Sequence, residues 1–157
     1  MSQSEACHIE VMVQSADFSQ AELYERLRAD SPAIGAICSF VGLMRDFNQA
    51  SEVRSMFLEH YPGMTEKVLQ DIARQASERW QLRRIVILHR VGELLPSDQI
   101  VFVGVSGTHR GEAFAACEFI MDFLKTKAPF WKREQTDNGQ RWVDARDSDQ
   151  QAADRWR

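Results

Sequence analysis

Cysteine is scarce and unpaired in this chain. Cys7, Cys38 and Cys117 are widely spaced, and no two form a C-x-x-C pair. Neither a disulfide framework nor a structural zinc site is expected. Cys38 and Cys117 lie in apolar runs and read as core thiols, the habit of free cysteine. Long hydrophobic runs are missing too. Nothing approaches the roughly 20 apolar residues that span a bilayer, and the N-terminus lacks a basic-then-apolar export pattern. Basic excess is absent: 19 Lys and Arg face 23 Asp and Glu, for a net charge of −4. A general nucleic-acid binder carries a basic footprint, so any anion site here must be local. Glycine is thin, and Gly104-x-x-Gly107 lacks the remaining glycine and context of a dinucleotide loop. No Ser-His-Asp arrangement, repeat or low-complexity linker stands out. Reduced thiols and no export signal suit a cytoplasmic protein.

What is present describes one folded unit over residues 1–157, with 44% hydrophobic and 27% charged residues. A chain this long buries about two thirds of its unfolded surface and needs no staple. His8 to Gln14 alternates, with Ile9, Val11 and Val13 on one face, and reads as a strand. Ser19 with Glu22 offers a capping box for a helix over 20–29, ended by Asp30-Ser31-Pro32. A buried strand over 35–43 leads into a polar loop over 45–49. Val53 to His60 alternates again. Pro62-Gly63 makes a turn, and Pro62 or Thr65 starts a helix to about Trp80 with Met64, Val68, Ile72 and Ala76 on one face. Strands follow over 84–91 and 99–106. Thr108 can cap a helix over 109–127 that buries Phe114, Cys117, Ile120, Met121, Phe123 and Leu124, and Pro129 stops it. Segments 130–135 and 140–145 flank Thr136-Asp137-Asn138-Gly139, a hairpin signal. The charged tail 146–157 is a short helix or a frayed end, with Trp156 available for docking. The order is that of an α+β domain with a mixed or antiparallel sheet.

Chemistry is concentrated in three places. Lys125-Thr126-Lys127-Ala128-Pro129-Phe130-Trp131-Lys132-Arg133-Glu134 sets four cations among aromatics in an acidic protein. Strand alternation puts Phe130, Lys132 and Glu134 on one face and Trp131 and Arg133 on the other. Lys132 and Glu134 either form a surface ion pair of little worth or belong to a cluster in which crowded cations tune a lysine for reaction. Lys125 either complements a helix dipole or joins that cluster. Second, Gly107-Thr108-His109-Arg110-Gly111 runs from a strand into a helix N-terminus. It reads as a capped helix with exposed polar residues or as an anion site. Third, Arg45 follows a buried strand, either as a solvated loop residue or as a functional one. His60 and His89 lack metal spacing and read as structural; no metal and no cofactor are expected.

Sixteen residues separate His109 from Lys125 on one expected helix, a rise of about 24 Å. One small ligand does not reach both ends. The arrangement preferred is a two-fold dimer in which Lys125 and Lys132 of one chain meet His109 and Arg110 of the other.

At these residues the sequence resembles the catalytic, large subunit of molybdopterin synthase. The matching segments are Leu58-Glu59-His60-Tyr61-Pro62-Gly63-Met64, His89-Arg90-Val91-Gly92-Glu93-Leu94, Val101-Phe102-Val103-Gly104-Val105, Thr108-His109-Arg110 and Phe119 through Glu134. The resemblance implies an α/β hammerhead fold and a homodimer that binds two small ubiquitin-like sulfur carriers, a heterotetramer. The carrier's C-terminal Gly-Gly thiocarboxylate would enter the pocket, and cyclic pyranopterin monophosphate would gain two sulfurs as a dithiolene. It further implies that Lys125 and Lys132 are catalytic and that Arg45, His109, Arg110, Arg133 and Glu134 bind substrate. Leu43 departs from the basic residue common two positions before that arginine. The competing readings are a non-catalytic dimeric anion- or nucleotide-binding module and a scaffold for a carrier tail. The first leaves Lys125 and Lys132 unexplained.

Overall fold

The computed structural model describes residues 6–29, 31–48, 51–143 and 147–157. Asp30, Gln49 and residues 144–146, which the expected helix stop, polar loop, final strand and tail include, lie outside the described residues. The elements in chain order are β1 (His8–Gln14), α1 (Gln20–Arg28), β2 (Ala36–Leu43), β3 (Phe47–Asn48), β4 (Ser51–His60), α2 (Met64–Arg79), β5 (Leu82–Arg90), β6 (Gly92–Leu94), β7 (Gln99–Gly107), α3 (Arg110–Lys127), β8 (Phe130–Thr136), β9 (Gly139–Val143) and α4 (Asp147–Asp154).

Two sheets organise them. The first has the order β1-β5-β7-β2, with β1 parallel to β5 and the other pairs antiparallel. The second runs β3-β4-β8-β9, with β6 also on β4. This is the mixed α+β architecture expected. The first sheet is covered on both faces. Ile85, Ile87, Val101, Val103 and Val105 meet Leu69, Ile72 and Ala76 of α2 and Ala116, Phe119 and Ile120 of α3. The opposite residues Val86, Leu88 and Phe102 meet Leu23 and Leu27 of α1. Alternation along β5 and β7 thus supplies two apolar faces, which is why these strands read as continuous hydrophobic runs. Gly104 permits the close approach of α1, because a Cβ there would collide with Leu27 and the Phe102 ring. Met44, Val53, Met56, Leu58 and Leu94 form a separate small core beneath the second sheet.

Local expectations hold in most places and shift in five. Ser19 accepts from the Glu22 N–H at 3.3 Å and caps α1. The next helix starts later than Pro62 and is not capped by Thr65. Gly63 takes the cap position at φ 85°, where glycine has no Cβ penalty, and its N–H donates to Glu66 Oε2 at 2.6 Å. Thr65 lies inside the first turn, donating to the Tyr61 carbonyl at 2.9 Å. Likewise His109, not Thr108, is the α3 cap residue, without a side-chain bond. Phe114 is 63% exposed rather than core, and Phe119 takes the buried place. The 45–49 loop contains β3, and β6 interrupts the expected loop after β5. These two short strands escape periodicity because two or three residues carry none.

The tail is docked. Trp156 packs edge-on against Trp80 and Phe119 at 5.7 and 5.6 Å, and its Nε1 donates to Asp122 Oδ2 at 2.6 Å. Arg79 lies over all three rings and donates to the Trp156 carbonyl at 2.8 Å. Trp156→Ala removes this anchor. It is expected to cost about 2 kcal/mol, below the usual cost of truncating a core aromatic because the ring is only partly buried. That lowers the melting temperature by roughly 5 °C; an unchanged thermal midpoint would contradict the anchoring role. Cys117 is buried with its thiol toward the Val103 carbonyl. Burial, then the neighbouring Cys38, pushes that thiol's pKa up, as suits a core residue and not a reactive one.

Candidate functional site

The end of α3 and the start of β8 build one wall of a cavity of about 470 Å³. Helix α3 stops because Pro129 has no N–H to continue it. The Ala128 N–H still reaches the Leu124 carbonyl at 3.3 Å, and Phe130 N–H bonds the Ala128 carbonyl at 2.9 Å, which turns the chain into β8. Lys125 is therefore delivered by the last helical turn. Lys132 comes from the second inward position of the strand. Strand β8 pairs antiparallel with β4, setting Phe130 opposite His60, Lys132 opposite Leu58 and Glu134 opposite Met56. Phe130, Lys132 and Glu134 all line the cavity, the shared face that alternation implied.

Arg45 reaches the same cavity from the end of β2. The strand end is held by two backbone bonds, Met44 N–H to the Asp98 carbonyl at 2.9 Å and Ser97 N–H to the Met44 carbonyl at 2.8 Å. Met44 is buried and Arg45 exposed, so the apolar residue anchors and the cation projects. Phe40 and Leu43 of β2 add apolar surface to the lining, and Asp149 of α4 adds a carboxylate.

Glu134 is only 4% exposed, and buried carboxylates need partners. Arg141, its cross-strand neighbour on β9, supplies them through Nη2 at 3.1 Å and Nε at 3.3 Å. His89 also lines the cavity. Its Nδ1 lies 2.8 Å from the Arg90 carbonyl, and its ring stacks on Phe130 at 3.9 Å with 20° between planes. Burial above all depresses its pKa to about 3; the Arg90 carbonyl bond is the next-largest effect and opposes it, and Lys125, Lys132 and His60 each add a smaller depression. The ring is neutral at physiological pH.

Three anticipated site residues lie elsewhere. Arg133 points to the opposite face of β8, between the rings of Phe57 at 5.2 Å and Trp142 at 5.9 Å. His109 and Arg110 are exposed at the N-terminal end of α3. Their helix is 18 residues long, about 27 Å, so they stand far from Lys125. Among the described residues, no group of three or more His, Cys, Asp or Glu could hold a metal, and no helix is long and apolar enough to cross a membrane. The cavity thus gathers Lys125, Lys132 and Arg45 around an apolar floor, with a neutral imidazole, the ion-paired Glu134 and the carboxylate of Asp149. It can bind an anionic group and stabilise negative charge as it develops.

Comparison with known proteins gives consistent matches. The family model described as MoaE protein matches residues 13–127. A molybdopterin synthase catalytic subunit of Vibrio cholerae serotype O1 is 58% identical over 146 residues, covering 93% of this chain and 97% of the relative. Among solved structures, a molybdopterin biosynthesis MoaE protein from Burkholderia ambifaria MC40-6 superposes with a TM-score of 0.82 at 53% identity, covering 94% of this chain and 97% of that one. A complex of subunits 1 and 2 of molybdopterin-converting factor from Helicobacter pylori 26695 shares the fold, with a TM-score of 0.66 at 20% identity, covering 88% and 91%.

Proposed function

The chain belongs to the MoaE protein family, and we propose that, as the catalytic subunit of a molybdopterin synthase, it moves sulfur from a carrier thiocarboxylate onto a pyranopterin phosphate. The observation that carries this reading is the convergence of Lys125 and Lys132, from separate elements, in one cavity with Arg45. Both reactants are anions, and three cations line this cavity in a chain of net charge −4.

The carrier is a small ubiquitin-like subunit whose flexible Gly-Gly tail enters between the lysines. The Helicobacter complex of two subunits is the structural precedent for such a pairing. In the first step the thiocarboxylate sulfur bonds to a pyranopterin carbon as the oxygen on that carbon leaves, as water or as the released end of the cyclic phosphate, and the sulfur stays acylated by the carrier. Water then cleaves the acyl–sulfur bond. The carrier leaves as a carboxylate, the sulfur stays on the substrate, and a second carrier repeats the transfer. Lys125 orients the reacting group and stabilises the charge that grows in each step. Lys132 holds the carrier terminus or assists proton transfer. Arg45 faces the substrate phosphate. Glu134, fixed by Arg141, supports Lys132 on the same strand face. We assign Arg133 no pocket contact. His109 and Arg110 complete the phosphate site of a second chain, which makes the functional unit a homodimer with two carriers. Free thiols suit a cytoplasmic setting.

Single-turnover incubation with thiocarboxylated carrier and cyclic pyranopterin monophosphate tests the proposal. The expected result is dithiolene product and carrier returned as carboxylate. Tight binding of both without product would instead favour an anion-binding module or a carrier-tail scaffold.

A further inference from the structure

His89 sits where alternation calls for an apolar residue. On β5 it shares a face with Ile85 and Ile87, both fully buried beneath α2 and α3. It is 5% exposed itself, and lies at the strand end level with the last turn of α3, where Leu124 and Lys125 join it in the cavity lining. A polar residue at such a position is costly unless its nitrogens have work to do.

The ring is fixed in tautomer and in plane. A carbonyl only accepts, so the Nδ1 that lies 2.8 Å from the Arg90 oxygen carries the proton. Nε2 is left with its lone pair. The Phe130 stack sets the plane, and Phe130 also begins the strand that carries Lys132. Lys125, Lys132 and His60 act on the ring electrostatically and all disfavour an imidazolium, and the carboxylates that line the same cavity are Glu134, ion-paired to Arg141, and Asp149. A base so weak is a poor proton abstractor near neutrality, but it remains a hydrogen-bond acceptor.

We propose that His89 is a positioning residue for Lys125, its Nε2 serving as an uncharged acceptor that orients the ammonium group in the cavity while leaving the positive charge available to a bound anion. A carboxylate in this place would orient the lysine equally well but cancel its charge. Glu134 shows the contrast, since its carboxylate is engaged by Arg141. An imidazole held neutral orients without cancelling. This inference rests on the reading that Lys125 acts in sulfur transfer.

Two measurements test it together. In ¹⁵N-histidine NMR of the whole chain, His89 shows a protonated Nδ1 and a bare Nε2 at neutral pH, and Lys125→Ala moves the Nε2 resonance while Nδ1 stays in place. In the single-turnover assay, His89→Phe keeps the ring stack and lowers the saturating rate constant about 10-fold or more, with the half-saturating substrate concentration changed less than about 2-fold. His89→Gln, whose amide oxygen can reach the Nε2 position, recovers to within about 3-fold of the wild type. An Nε2 resonance indifferent to Lys125→Ala overturns the proposal. So does a folded His89→Phe with the wild-type single-turnover rate, or a folded His89→Gln as impaired as the phenylalanine variant. If the wild type itself makes no product, the functional reading fails instead, and the resonance still decides whether the two side chains are paired. That resonance is read with His89 intact, so it stands even if the phenylalanine variant does not fold.

Discussion

Lys125→Ala is expected to lower the rate of sulfur transfer by about 10²–10³-fold, the usual cost of removing one preorganised group that stabilises developing charge. Lys132→Ala is expected to fall in the same range. The informative control is Lys127→Ala. Lys127 occupies the same last turn of α3, but its ammonium lies over the Phe123 ring at 4.8 Å and it does not line the cavity. Removing it takes one cation from the same region and should change the rate less than about 2-fold, as for an exposed charge outside the site. Equal losses at 125 and 127 would mean that general positive potential, rather than a placed ammonium group, drives the reaction. Full transfer by Lys125→Ala with purified thiocarboxylated carrier would remove Lys125 from the mechanism altogether.

The geometry behind that contrast was partly legible in the chain. Alternation in Phe130-Trp131-Lys132-Arg133-Glu134 separates Lys132 and Glu134 from Arg133, and the fold keeps that separation. Pro129 marks the break between helix and strand. The family was legible as well, because the long segments from Leu58 to Met64 and from Phe119 to Glu134 carry it, and the MoaE match bears it out. What local pattern could not convey is pairing across distance. Met56 of β4 faces both Leu94 and Glu134, contacts set by folding and not by spacing. Asp149 enters the cavity from α4 by the same non-local route.

One pair and one histidine left a signal that a reading of types alone passes over. Glu134 and Arg141 are equidistant from the Thr136–Gly139 turn, so hairpin register makes them neighbours. His89 repeats the parity of Ile85 and Ile87, which places an imidazole on a core face. Reading it as structural was sound for its burial but silent about Nε2. Conversely, the sequence could suggest that His109 and Arg110 form an anion site, yet only the helix length separates them from Lys125 within one chain.

That separation leads to the second large effect. Arg110→Ala is expected to be nearly inactive as a pure protein, although Arg110 is remote from the cavity of its own chain. Lys125→Ala should be nearly inactive as well. If the working site combines Lys125 of one protomer with His109 and Arg110 of its partner, a dimer containing one chain of each variant holds one doubly defective site and one intact site. Unfolding and refolding an equimolar mixture makes half the dimers mixed, and half the sites in those are intact. About a quarter of wild-type activity should return. A site built within one chain gives no such recovery, because every cavity would carry one defect or the other. The same mixture made from Lys125→Ala and Lys132→Ala should stay inactive. Both lysines belong to one cavity of one chain, so no pairing of these variants assembles an intact set. Recovery in the first mixture together with silence in the second distinguishes a shared site from simple restabilisation by the partner.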